Sequence, residues 1–166
     1  VVIPFLLMGY FNLIHQYGVE KICRKISEIG IDGLIIPDLP LTEYELHYKS
    51  IFQQYDLLPV FLITPQTSEE RIKEIDEASE GFIYMVSTAA VTGGTGGFGE
   101  AQVEYFTRVS KMALKNPLIV GFGIKDNKTF KQATAHTNGA IIGSAFIKQL
   151  TEKGTGGIED FISSIR

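Results

Sequence analysis

The sequence predicts an α/β fold of the (β/α)₈ barrel class, with strands 3 to 8 of the barrel inside these 166 residues and the first two βα units outside them. Three observations carry that expectation. Short apolar runs alternate with amphipathic runs from one end of the chain to the other. The apolar runs are nearly continuous, as in parallel strands buried on both faces. The last two runs each close in a glycine-containing turn, Gly121-Phe122-Gly123 and Gly143-Ser144.

Val2 to Met8 is an apolar run and reads as a buried strand. Val19, Ile22, Cys23, Ile26 and Ile29 fall at helical spacing, and Gly30 stops that helix. Gly33 to Ile36 is a second buried strand, closed by Pro37-Asp38-Leu39-Pro40. Thr42 with Glu45 has the spacing of a capping box, and Tyr44, Tyr48, Ile51, Phe52 and Tyr55 form a helix face behind it. Leu57 to Ile63 is the third strand. Thr67 and Glu70 form another capping-box pattern, followed by Ile72 and Ile75. Phe82 to Val86 is the fourth strand, and the glycine-rich stretch Gly93 to Gly99 follows it. Val103, Phe106, Val109 and Ala113 define a helix, Pro117 to Val120 a strand, and 127–136 a short helix that Asp126 caps. Gly139 to Gly143 is the last strand. A helix starts near Ser144, and Ile158, Phe161, Ile162 and Ile165 mark a final one.

Barrels commonly bind phosphate with the loops after strands 7 and 8 and a helix N-terminus. If the last two strands here are strands 7 and 8, the first one present is strand 3. The chain is expected to be a single domain over 1–166. No G-x-G-x-x-G follows the first strand and no P-loop pattern occurs, which disfavours a doubly wound nucleotide-binding sheet.

Net charge is −4 and the sequence pI about 5.4, with no basic stripe, so nucleic acid is not an expected partner. No apolar run approaches the roughly 20 residues that span a bilayer, so no membrane is expected either. A single cysteine, Cys23, allows no internal disulfide and fits a reducing, cytoplasmic compartment. It lies on an apolar helix face and reads as a small buried hydrophobe.

The terminal turns carry the chemistry. Backbone N–H groups hold a phosphate only where the chain approaches it closely, and a Cβ blocks that approach. Ser144, at a helix start, adds a hydroxyl and the positive end of the helix dipole. Gly123, Gly143 and Ser144 are therefore candidate phosphate contacts, with Gly93 a further one in the long polar loop from Ser87 to Gly99, a candidate lid. His15, His47 and His136 have no ligand spacing, and no metal is expected. Asp38 stands at a strand end, where barrel enzymes keep their chemistry, and also between two prolines, where an Asp stabilises a turn.

At these motifs the sequence resembles the alpha chain of tryptophan synthase along its whole length. The matching stretches are Leu7-Met8-Gly9-Tyr10-Phe11-Asn12, Gly30 to Pro40, Gly81-Phe82-Ile83-Tyr84, Ser87 with Val91-Thr92-Gly93, Gly121-Phe122-Gly123-Ile124, and Gly139 to Ala145. The resemblance implies a lyase that cleaves indole-3-glycerol phosphate to indole and glyceraldehyde 3-phosphate in tryptophan biosynthesis, with no cofactor. It implies phosphate contacts at Gly93, Gly123, Gly143 and Ser144. It implies an indole pocket of Met8, Tyr10, Ile35, Leu62, Tyr84, Thr92 and Phe122, in which Tyr84 supports the catalytic carboxylate. The family's acid–base carboxylates lie at the end of strand 2 and in the loop after it, so they are expected upstream of Val1, and these 166 residues are expected to be inactive alone. The resemblance also implies a beta-chain partner in an alpha2-beta2 heterotetramer, met through Asn12, Asp38 and Pro40. Pyridoxal phosphate would belong to that partner. Another phosphate-binding barrel enzyme, or a non-catalytic barrel piece that binds phosphate or partner, are the alternatives.

Overall fold

The structure, a computed structural model, describes residues 3–87 and 97–166. They divide into two compact units.

The first unit runs to Leu62 and takes in Ser68–Ile83. Its sheet has the order β1 (Leu6–Met8), β2 (Gly33–Ile35), β3 (Leu58–Val60). All three strands are parallel, with Met8 opposite Ile35 and Ile35 opposite Val60. Helices α1 (Phe11–Tyr17) and α2 (Val19–Glu28) connect β1 to β2. Between β2 and β3 lie α3 (Leu41–Glu43), a π-helical turn (Tyr44–Tyr48) and α4 (Lys49–Gln54). Helix α5 (Glu69–Ala78) completes the unit. The core gathers Cys23, Leu34, Tyr44, Phe52, Leu57 and Ile72, with the Tyr44 ring edge-on to Phe52 at 5.4 Å and to Phe61 at 5.1 Å. Cys23 is the buried hydrophobe its position predicts, and burial pushes its thiol up to about 11.

Several local expectations are corrected. The first strand is not buried: Met8 is 54% exposed, and Ile3, Phe5 and Leu7 are exposed with it. Among the described residues β2 is the single ladder partner of β1. Ile29 is exposed because α2 ends one residue before it. Thr42 is no cap. Pro40, with its φ of −64°, takes the position before Leu41, and Thr42 falls inside the first turn. Ser68, not Thr67, caps α5 by accepting the Arg71 N–H at 3.2 Å. The Thr67 hydroxyl instead accepts the Thr64 N–H at 2.9 Å. The third apolar run splits at Phe61, whose ring leaves the ladder to pack on Tyr44. Helix α1 was not anticipated, because seven residues give too little periodicity.

The second unit comprises Ile63–Thr67 and Tyr84–Arg166. It contains most of a four-stranded sheet of order β4 (Leu62–Ile63), β5 (Ile83–Val86), β6 (Leu118–Gly121), β7 (Gly139–Ala140). β6 and β7 are parallel, with Val120 opposite Ala140. Helices α6 (Glu100–Ser110), α7 (Asn127–Thr134), α8 (Ser144–Lys153) and α9 (Ile158–Ile165) alternate with and follow these strands. Met85, Phe106, Val109, Val120 and Ala133 are fully buried. Asp126 caps α7 as its position predicts, accepting the Thr129 N–H at 2.9 Å and its hydroxyl at 2.7 Å.

These two hydrogen bonds, the backbone one first, hold the Asp126 carboxyl below its usual range. A carboxyl depressed in the folded state stabilises above its unfolded pKa of about 3.9, and that contribution is lost as pH falls through the folded value. In the whole protein, Asp126→Ala is expected to lower stability by about 1 kcal/mol at pH 7. Denaturant titrations should show the gap from wild type narrowing below about pH 4.

Candidate functional site

In the second unit the site grows from two neighbouring strands. Tyr84 lies on β5 and is buried, and burial raises its phenol, so the hydroxyl stays protonated near neutral pH. Gly121 ends β6, and a Cβ there would collide with the Tyr84 ring and hydroxyl. The glycine is a spacer: it lets an aromatic ring lie flush against the backbone of the next strand.

Beyond Gly121 the chain turns through Phe122 at φ +66° and Gly123 at φ +77°. Glycine takes such a conformation freely, but a bulky residue there is a true outlier. The Phe122 ring is 53% exposed and sits 6.0 Å from Tyr84 at 56°, so the two rings offer an aromatic surface with one open side. Fully buried Ser87 follows β5. Its hydroxyl donates to the Phe122 carbonyl at 2.7 Å, and its N–H donates to the Gly121 carbonyl at 3.2 Å. The Phe98 ring stands 3.3 Å from where a Gly123 Cβ would lie, and the Phe98 N–H donates to Gln132 Oε1 at 3.2 Å.

The neighbouring strand delivers the second turn. The Ile141 N–H donates to the Val120 carbonyl at 2.8 Å, carrying the pairing past β7. Gly143 then occupies the position before α8 and Ser144 is the first helical residue, both exposed, with open space where a Gly143 Cβ would be. The ten-residue helix α8 begins at that turn, and its leading N–H groups and dipole favour an anion. Gly123, Gly143 and Ser144 thus lie in turns after two hydrogen-bonded parallel strands, and Gly123 directly follows Phe122, whose ring meets Tyr84.

In the first unit, Met8 and Ile35 are register partners, and the Gly9 N–H donates to the Ile35 carbonyl at 3.1 Å. Ile35 is buried, while Met8 and Tyr10 are exposed and Tyr10 precedes α1. Leu62 lies on β4, half-buried. Asp38 is committed locally: its Oδ1 accepts the Phe11 N–H at 2.8 Å, placing a carboxylate at the start of α1. Asn12 accepts from Gln16 Nε2 at 3.3 Å, and Pro40 precedes α3. Thr92, Gly93 and most of the candidate lid lie outside the described residues. Among the described residues, no three His, Cys, Asp or Glu side chains gather as a metal site.

Sequence reasoning did not single out Ser87 as a site residue. Its place at a strand end was visible, but not its burial or its bond to a carbonyl 35 positions away.

The sequence profile described as tryptophan synthase alpha chain matches residues 1–163. The tryptophan synthase alpha chain of Flavobacterium johnsoniae is 61% identical over 166 residues, covering all of this chain and 66% of that protein. That of Christiangramia forsetii is 60% identical, over all of this chain and 65% of that protein. Among solved structures, the tryptophan synthase A-subunit of Pyrococcus furiosus superposes with a TM-score of 0.83 at 27% identity, over 98% of this chain and 66% of that one. The a2b2 complex from the same organism gives 0.85 at 29% identity with the same coverage. The chain therefore has the α/β fold of that barrel, and spans just under two thirds of the curated relatives it matches.

Because the Tyr84 ring fills the space beside Gly121, Gly121→Ala is expected to cost more than about 2 kcal/mol in the whole protein. Replacing Tyr84 by leucine as well should recover part of that loss. A thermal-melt double-mutant cycle showing additive effects would contradict the packing described.

Proposed function

The chain belongs to the tryptophan synthase alpha chain family, and we propose that the whole protein is a lyase that cleaves indole-3-glycerol phosphate to indole and glyceraldehyde 3-phosphate. The observation that supports this reading is the pair of turns after the paired strands β6 and β7: one holds Gly123 directly after Phe122, whose ring meets Tyr84, and the other holds Gly143 and Ser144 at the start of α8. A phosphate at the N-terminus of α8 anchors one end of the substrate. An apolar ring at the other end is assigned to the Tyr84–Phe122 pair; the family resemblance alone assigns Met8, Tyr10, Ile35, Leu62 and Thr92 to the same ring and Gly93 to the phosphate.

The reaction breaks the bond between the indole ring carbon and the glycerol chain. An acid protonates that ring carbon, and a base takes the proton of the glycerol hydroxyl, whose carbon becomes the aldehyde. No side chain in these 166 residues is assigned either role. Asp38, the strand-end carboxylate, already accepts the Phe11 N–H. The family resemblance assigns the acid–base pair to carboxylates in the part of the family's chain that these 166 residues do not span, with Tyr84 as a supporting group. The reaction itself uses no cofactor. The beta chain is the proposed partner, in an alpha2-beta2 assembly reached through Asn12, Asp38 and Pro40, and it carries the pyridoxal phosphate. The 1–166 segment is read as part of one barrel domain acting in the cytoplasm.

The test is turnover. The whole protein, given indole-3-glycerol phosphate, is expected to release indole and glyceraldehyde 3-phosphate in equal amounts, and no release would sink the proposal. Gly123→Ala puts a Cβ on a left-handed residue, 3.3 Å from the Phe98 ring. It is expected to raise KM at least about tenfold, a loss of about 1.4 kcal/mol of binding. Steady-state kinetics separate that from a pure kcat effect.

A further inference from the structure

Phe122 holds a backbone conformation that a β-carbon-bearing aromatic residue avoids, at φ +66°. Such an outlier persists only when its surroundings over-determine it. The surroundings here are specific. Gly121 is clamped on one side by the Tyr84 ring, which leaves no room for a Cβ. Its carbonyl receives the Ser87 N–H at 3.2 Å. The Phe122 carbonyl receives the Ser87 hydroxyl at 2.7 Å, the usual length for such a bond, from a side chain with no solvent exposure. One buried residue thus grips two consecutive carbonyls of the turn from the neighbouring strand.

The orientation of the Phe122 carbonyl is that of the peptide plane it shares with the Gly123 N–H. Fixing the carbonyl therefore fixes the direction of that N–H. We propose that Ser87 is a positioning residue for substrate binding. By holding the Phe122 carbonyl, it keeps Phe122 left-handed and aims the Gly123 N–H at the substrate phosphate. This rests on the reading of Gly123 as a phosphate contact. Ser87 does not touch substrate, and its effect passes through the turn.

The consequence is a coupling between the Ser87 hydroxyl and the steric penalty at position 122. Alanine at 122 keeps the Cβ and the penalty, whereas glycine removes it, and both lack the ring. Ser87→Ala is therefore made in whole proteins carrying Phe122→Ala or Phe122→Gly. Binding of glycerol 3-phosphate, a phosphate ester without the indole ring, is measured by calorimetry, with near-ultraviolet circular dichroism as a check on folding. With alanine at 122, Ser87→Ala is expected to weaken binding about tenfold; with glycine at 122 the loss should stay within about twofold. The same cycle read by thermal melts should show the same sign of coupling, so a poorly folded variant still tests the proposal. Equal losses in both backgrounds would make the hydroxyl an ordinary structural bond and overturn the inference. If wild type binds glycerol 3-phosphate and Ser87→Ala in the wild-type background binds it equally well, the Ser87 role fails while the proposed function stands. If wild type binds no phosphate ester, the phosphate reading of the turn fails, and the positioning role with it.

Discussion

An aromatic ring lying against a bare backbone organises this molecule's candidate site. The Tyr84 ring takes the volume that any side chain at Gly121 would need. That contact lies between β5 and β6, neighbours in one sheet, at the residue where β6 ends. The chain beyond it then turns within two residues, through two consecutive left-handed conformations. Glycine at 123 adopts its conformation at no steric cost. Phe122 does not, and Ser87 and the ladder around it supply the compensation. The aromatic surface and the exposed turn are two results of one packing event.

The carboxylates show how local demand decides what a polar residue does. Asp38 and Asp126 both occupy helix starts, where unpaired N–H groups need acceptors. Asp38 serves a helix 27 positions earlier in the chain, so its turn and α1 support each other. A carboxylate committed in this way is held in place by the N–H it accepts, which suits a structural acceptor better than a group that must gain and lose a proton. The acceptor-poor start of α8 is the opposite case. Gly143 precedes it and makes no side-chain cap, and a helix start of that kind suits an anionic ligand.

Much of this was readable in the residues. The alternation of apolar and amphipathic runs located six strand regions and most helices, and the glycines of the two terminal turns marked where the last two strands end. Asp126 as a cap followed from its place before a helical run. The errors have physical causes. Pro40 displaced Thr42 as the helix start because a fixed φ suits that position, and Ser68 displaced Thr67 because the Thr67 hydroxyl closes its own turn on Thr64. Hydrogen-bond competition between adjacent residues is not settled by spacing. The run from Val2 was expected to be buried because it is apolar, yet within these 166 residues Ile3, Phe5, Leu7 and Met8 are exposed, with β2 the single ladder partner of β1 among the described residues. Burial belongs to neighbours, not to composition.

The sequence by itself determined the α/β class, the order of the strands and the glycine turns that close the last two of them, because hydrophobic periodicity and glycine placement are local properties of the chain. Tertiary structure decided which of those local features cooperate. Ser87 and Phe122 are 35 positions apart, and Phe98 and Gln132 are 34 apart. No spacing rule links them, since what brings them together is the parallel pairing of strands and the packing of rings between those strands. Gly121 carries the same lesson at a single position: the sequence marks it as a turn residue, and only the packed Tyr84 ring explains why it can be nothing else.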